Sequence, residues 1–132
     1  MSWTPFSLDH QAQWAVLQAL QRGRESLKEA YKMRTTCGYG LERFWGEQIR
    51  VRTSSQNDAD FWKDVWQTLV IQLQQVDIYL EPQDNALHNH SAEVMAQHLW
   101  SLEPEEQEIA LSVLTSLCDA VVWWKQRLDP GA

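Results

Sequence analysis

The sequence is most informative through what it lacks. No run approaches 18 consecutive apolar residues, so no membrane-spanning helix is expected. The opening "MSWTPFSLDH" has neither a cationic stretch nor an apolar one, so no secretory signal is visible. Two cysteines, Cys37 and Cys118, fall outside any CxxC pattern and give no disulfide framework. They read as reduced thiols of a cytoplasmic protein. Strand signals are nearly absent: "QIRVRT" alternates for a few residues, but one strand makes no sheet and a hairpin partner is missing. No internal repeat, low-complexity tract or Pro/Ser-rich linker divides the 132 residues.

What remains is helical periodicity. A first helix is expected from about Leu8 to Arg34, capped by the Ser7 hydroxyl. Its apolar stripe is Ala12, Val16, Leu20, Gly23, Leu27 and Ala30, with Gly23 permitting close approach of another helix. A second, from Asn57 or Asp58 to just before Pro82, carries Trp62, Val65, Trp66, Leu69, Leu73, Val76 and Leu80. A short third, Ser91 to about Trp100, turns Val94, Met95, His98, Leu99 and Leu102 inward. The fourth starts at "EPEEQ", where Pro104 suits the first turn and glutamates favour the helix dipole. It runs to Leu128 with Ala110, Leu114, Leu117, Cys118, Val121, Trp124 and Leu128 inward. The expected fold is all-α: an antiparallel bundle of three long helices plus one or two short ones. A single domain is expected over residues 1–132, with 1–7 an N-terminal arm and 35–57 an ordered connection.

Charge is distributed unevenly behind a net −7. Residues 22–52 hold eight Lys/Arg against four Asp/Glu, whereas from residue 64 onward two basic residues face eleven acidic ones. The two halves either neutralise each other across the fold or leave a basic face for nucleic acid. Within the basic part, "MRTTCGYGLERFWGEQIRVRT" concentrates four arginines, three glycines and three aromatics. A phosphate cradle requires glycines at fixed offsets between a strand and a helix; Gly38, Gly40 and Gly46 have no such context and no Walker lysine. A platform for RNA or single-stranded DNA combines cations with exposed aromatics, and Arg34, Arg43, Arg50 and Arg52 with Tyr39, Phe44 and Trp45 have that chemistry. The simpler reading ends the first helix at Gly38 and lets Leu41, Phe44, Trp45 and Ile49 form a short amphipathic turn over the bundle.

Catalytic and metal signatures are weak. His88, His90 and His98 lack the spacing of a zinc site, and Cys118 would join them only through a tertiary coincidence. No Glu-x-x-His is present, and Glu93 and His98, five apart, align poorly on a helix. Glu103, Glu105, Glu106 and Glu108 fit a solvated helix start. Cys37 has no nearby histidine in sequence to activate it as a nucleophile. No catalytic residue, metal or cofactor is therefore expected, and the chain reads as no enzyme.

Large apolar residues outside the core stripes carry more weight. Trp14 lies about 150° from its stripe, Ile71 and Ile78 oppose the Trp62/Leu69 stripe, and Trp123 points away from Val121 and Leu128. These four are the expected partner-binding anchors, unless "SWTPF" or the 35–57 connection folds over them. The leading expectation is a non-catalytic helical subunit that binds protein, either a copy of itself or a larger assembly. Alternatives are a nucleoprotein subunit contacting RNA or single-stranded DNA through residues 22–52, an inhibitor whose acidic 103–108 end imitates phosphates, and a helical enzyme with a core metal.

Overall fold

The computed structural model describes residues 7–82 and 91–129. The fold is all-α: six α-helices and two 3-10 turns occur among the described residues, with no strand. The α-helices are α1 (Leu8–Arg22), α2 (Glu29–Thr36), α3 (Leu41–Arg52), α4 (Gln56–Gln74), α5 (Ala92–Trp100) and α6 (Pro104–Leu128). Helices α1, α4 and α6 pack on one another, α3 lies along α4, α2 rests on α6, and α5 closes against α3.

Several helix starts follow from local chemistry. Ser55 accepts the Asp58 backbone N–H at 3.2 Å, and Ser91 accepts that of Val94 at 3.2 Å. At α6 Glu103 and Glu106 form a reciprocal capping box, with Pro104 in the first turn. Ser7 stands at the start of α1, but its side chain makes no capping hydrogen bond, contrary to expectation.

The expected first helix is broken. Gly23 ends α1 in an extended conformation, its N–H bound to the Ala19 carbonyl at 3.0 Å, and a 3-10 turn (Arg24–Lys28) leads into α2. The stripe survives this break: Leu27 and Ala30 are buried with Ala12 and Val16, because steps of three and four persist through a 3-10 turn. Close approach at Gly23 is real, though to the side chain that opens α4 rather than to a helix face. A Cβ there would lie 3.2 Å from Asn57 Nδ2, which donates to the Arg22 carbonyl at 3.4 Å.

The expected short turn over the bundle is a full helix, α3, reached through a 3-10 turn (Cys37–Tyr39) and Gly40 at φ 100°. That φ favours glycine. Leu41, Phe44 and Trp45 enter the core, while Ile49 is exposed. Phe44 sits 4.9 Å from Trp62 and 6.3 Å from Trp66 between ring centroids. The Trp62 indole donates at 2.9 Å to Glu29, a buried carboxylate that also meets Lys32 Nζ at 3.2 Å.

The second expected helix stops early, at Gln74, and the reason is a Schellman-type reversal. Asp77 takes φ 61°, its N–H bonds to the Gln74 carbonyl at 3.1 Å, and Ile78 N–H bonds to the Leu73 carbonyl at 3.0 Å. The residue after the reversal packs inward in such motifs, and Ile78 is buried while Val76 is exposed. On α5, Met95 and Leu99 face the core, but Val94 is exposed rather than inward. Among the described residues no helix is long and apolar enough to cross a membrane.

Candidate functional site

The expected anchors divide. Trp14, Ile71 and Trp123 are 45 %, 56 % and 50 % exposed, whereas Ile78 is 4 % exposed and belongs to the core. The correction for Ile78 follows from the reversal at Asp77, which removes it from the α4 face that Ile71 occupies.

Trp14 and Ile71 come together. They line one groove between α1 and α4, of about 280 Å³, with His10, Gln11, Gln67 and Thr68 along its sides and Asp64 in its wall. The polar groups of the wall are engaged within the fold: Arg22 pairs with Asp64, and the Thr68 hydroxyl donates to the Asp64 carbonyl at 2.9 Å. What the groove offers outward is therefore an indole, an aliphatic side chain, neutral amides and the exposed His10 imidazole. Trp123 is not part of it; the Arg127 guanidinium stacks 4.1 Å from its ring centroid and shields one face.

A second cleft, of about 320 Å³, opens between α2 and α3 and is lined by Tyr31, Lys32, Thr35, Thr36, Tyr39, Arg43, Glu47 and Arg50. It gathers two of the four expected arginines, Arg43 and Arg50, seven residues apart on α3. Arg43 lies 5.3 Å from the centroid of the exposed Tyr39 ring. Arg50 is bound to Glu47 at 2.7 and 2.8 Å, and this hydrogen bond and charge raise its pKa above the usual guanidinium value. The Thr35 and Thr36 hydroxyls donate to the Tyr31 and Lys32 carbonyls at 3.0 and 2.7 Å.

Arg34 and Arg52 stand outside this cleft. Arg34 bonds Asp119 on α6 at 2.6 Å, which raises its pKa; Arg52 is exposed at the end of α3. Two further cations of the basic half also bind acids of the acidic half. Arg22 pairs with Asp64, and Arg24 holds Asp129 through two hydrogen bonds, at 2.7 and 3.0 Å. Phe44 and Trp45, the other aromatics of that stretch, are buried and offer no stacking surface.

His98 is occupied within the fold, its Nε2 donating to the Tyr79 carbonyl at 2.6 Å. His88 and His90 lie outside the described residues. No group of three His, Cys, Asp or Glu that could hold a metal ion is found among the described residues. What the sequence missed is the pairing of Trp14 with Ile71: each is legible as an off-stripe residue, but only the packing of α1 on α4 makes them neighbours. No protein-family model, curated protein or solved structure matches this chain.

Proposed function

We propose that the protein is a non-catalytic helical assembly subunit that docks through the α1/α4 face, and that the occupant is a second copy of the chain. The observation that supports this reading is the shared groove of Trp14 and Ile71, two large apolar side chains that remain about half exposed. A two-fold contact requires a patch that complements itself, and a projecting indole beside an apolar recess has that property. The patch is also electrically quiet. Its one carboxylate, Asp64, is neutralised by Arg22, so the net −7 repels mainly through more distant, salt-screened charges.

Light scattering across concentrations from about 1 µM to 1 mM, the range of weak to moderate self-association, tests it. The expected result is a rise from monomer to dimer mass that Trp14→Ala and Ile71→Lys each abolish, while Trp123→Ala leaves it intact. A monomer at every concentration, or a dimer indifferent to both groove variants, rejects the self-docking reading.

A second reading has its own observation. The Tyr39–Arg43 contact in the α2/α3 cleft joins an exposed ring to a cation, the pairing on which single-stranded bases stack. It ranks second because Arg50 and Lys32 are paired with Glu47 and Glu29, and both threonine hydroxyls are engaged. Titration of a fluorescent single-stranded RNA decides it. Binding that weakens steeply with salt and fails in Arg43→Ala is the supporting outcome; binding insensitive to either removes it.

A further inference from the structure

Cys37 and Cys118 are far apart in sequence but meet in the fold. Cys37 opens the 3-10 turn after α2, Cys118 sits midway along α6, and both α2 and that turn pack on α6. The Arg34–Asp119 bond, at 2.6 Å, ties the two segments together beside the thiols, each thiol perturbs the other, and neither is in a disulfide. The Cys37 thiol itself donates to the Met33 carbonyl at 3.3 Å. The two sulfurs are not equivalent: Cys37 keeps 6 % of its surface exposed, whereas Cys118 is fully enclosed.

Their neighbours sharpen the asymmetry. The Cys118 thiol, above all, and the charge of Arg34 from α2 favour the Cys37 thiolate; burial and Asp119 oppose. Cys118 is pushed well the other way, by Cys37 and then by burial. A slightly open sulfur against a fully enclosed one is the arrangement of an attacking and a resolving cysteine, and the opposite directions of their shifts agree with it.

We propose that Cys37 and Cys118 form a reversible intramolecular disulfide, with Cys37 attacking, Cys118 resolving, and a small peroxide as the oxidant. The Cys37 thiolate attacks one oxygen of hydrogen peroxide; the O–O bond breaks, hydroxide leaves and takes a proton to become water, and Cys37 becomes a sulfenic acid. Cys118 Sγ then attacks the Cys37 sulfur. The S–O bond breaks, and the departing hydroxyl leaves as water with the Cys118 proton. Two thiols and one peroxide thus give one disulfide and two waters, the sulfurs oxidised and the peroxide reduced. An added dithiol reverses the bond by exchange. The narrow opening at Cys37 selects a small oxidant over a bulky disulfide. The bond would fasten the turn carrying Tyr39 to α6, beside the Arg34–Asp119 pair that ties α2 to the same helix.

The test is intact-mass analysis of the folded chain treated with a few equivalents of hydrogen peroxide, followed by digestion without reductant. The expected result is a monomer that has lost two hydrogens, with the Cys37 and Cys118 peptides joined, restored by dithiothreitol and melting higher than the reduced form. Oxidised glutathione at the same concentration should react at least about tenfold more slowly. Cys118→Ala should leave a Cys37 sulfenic acid that dimedone captures, and Cys37→Ala should capture none. Gain of oxygen without cross-linking, a cross-link between chains, unreacted thiols in the folded wild-type protein, or a bond that forms only in urea overturns the proposal; these readouts need no variant to fold.

Discussion

Helix α4 presents two faces that resemble each other in sequence and differ in fate. On one, Trp62 and Trp66 are covered by Phe44 of α3, and the Trp62 indole is bound by Glu29. On the other, Ile71 lies open in the groove beside Trp14. Both faces carry large apolar side chains, so hydrophobicity alone does not decide burial. What decides it is whether another element of the chain has the length and the complementary residues to cover the face. Helix α3 supplies Phe44 to the first; the second has neutral amides and no covering helix among the described residues.

The largest effect expected from breaking this contrast is at the covered face. Phe44→Ala removes a fully buried ring from between two tryptophans and should lower stability by about 3–5 kcal/mol. Urea unfolding measures it, and a loss near 1 kcal/mol would mean that α3 contributes far less to the core than its position implies.

The two isoleucines make a sharper pair. Ile78→Ala should cost about 2–4 kcal/mol because the side chain is buried, whereas Ile71→Ala should change monomer stability by less than about 0.5 kcal/mol. Equal costs at the two positions, measured by the same unfolding curves, would erase the distinction between core and open face.

That pair also marks how far the sequence could be read. The all-α class, most of each apolar stripe, the helix starts near Asn57 and Ser91, and the α6 boundaries rest on local signals, chiefly periodicity; the expected Ser7 cap does not form, and Val76 and Val94 leave their stripes. Ile78 has no such local signal. Its spacing from Ile71 is heptad-like, and only the left-handed Asp77 shows that the helix has ended between them. Aspartate tolerates that conformation without requiring it, so "QVDIYL" reads equally well as helix. The break at Gly23 was hidden for a related reason, since a 3-10 turn keeps the stripe in phase. For the site, off-stripe Trp14 and Ile71 were legible one by one; their common groove depends on how α1 packs on α4. The engagement of Arg34 by Asp119 was likewise out of reach, since no local rule joins α2 to α6.

A middle-sized effect tests the polar link beneath the covered face. Glu29→Ala leaves the buried Trp62 N–H without its acceptor and should cost about 1–3 kcal/mol. In the Trp62→Phe background, where there is no indole donor, the same substitution should cost measurably less. Additivity in that double-mutant cycle would show that the hydrogen bond contributes nothing beyond packing.

The smallest effect tests the reversal itself. Asp77 holds φ 61°, a region in which a non-glycine residue carries a strain of about 1 kcal/mol or more. Glycine relieves that strain but gives the unfolded chain more freedom, and the second effect offsets part of the first. Asp77→Gly should therefore stabilise by about 0.5 kcal/mol, while Asp77→Val, which tolerates the left-handed region poorly, should destabilise by more than that. The order Gly, Asp, Val in melting temperature is the signature of the turn that buries Ile78. The reverse order would mean that residues 74–78 continue as helix, returning Ile78 to the open face beside Ile71.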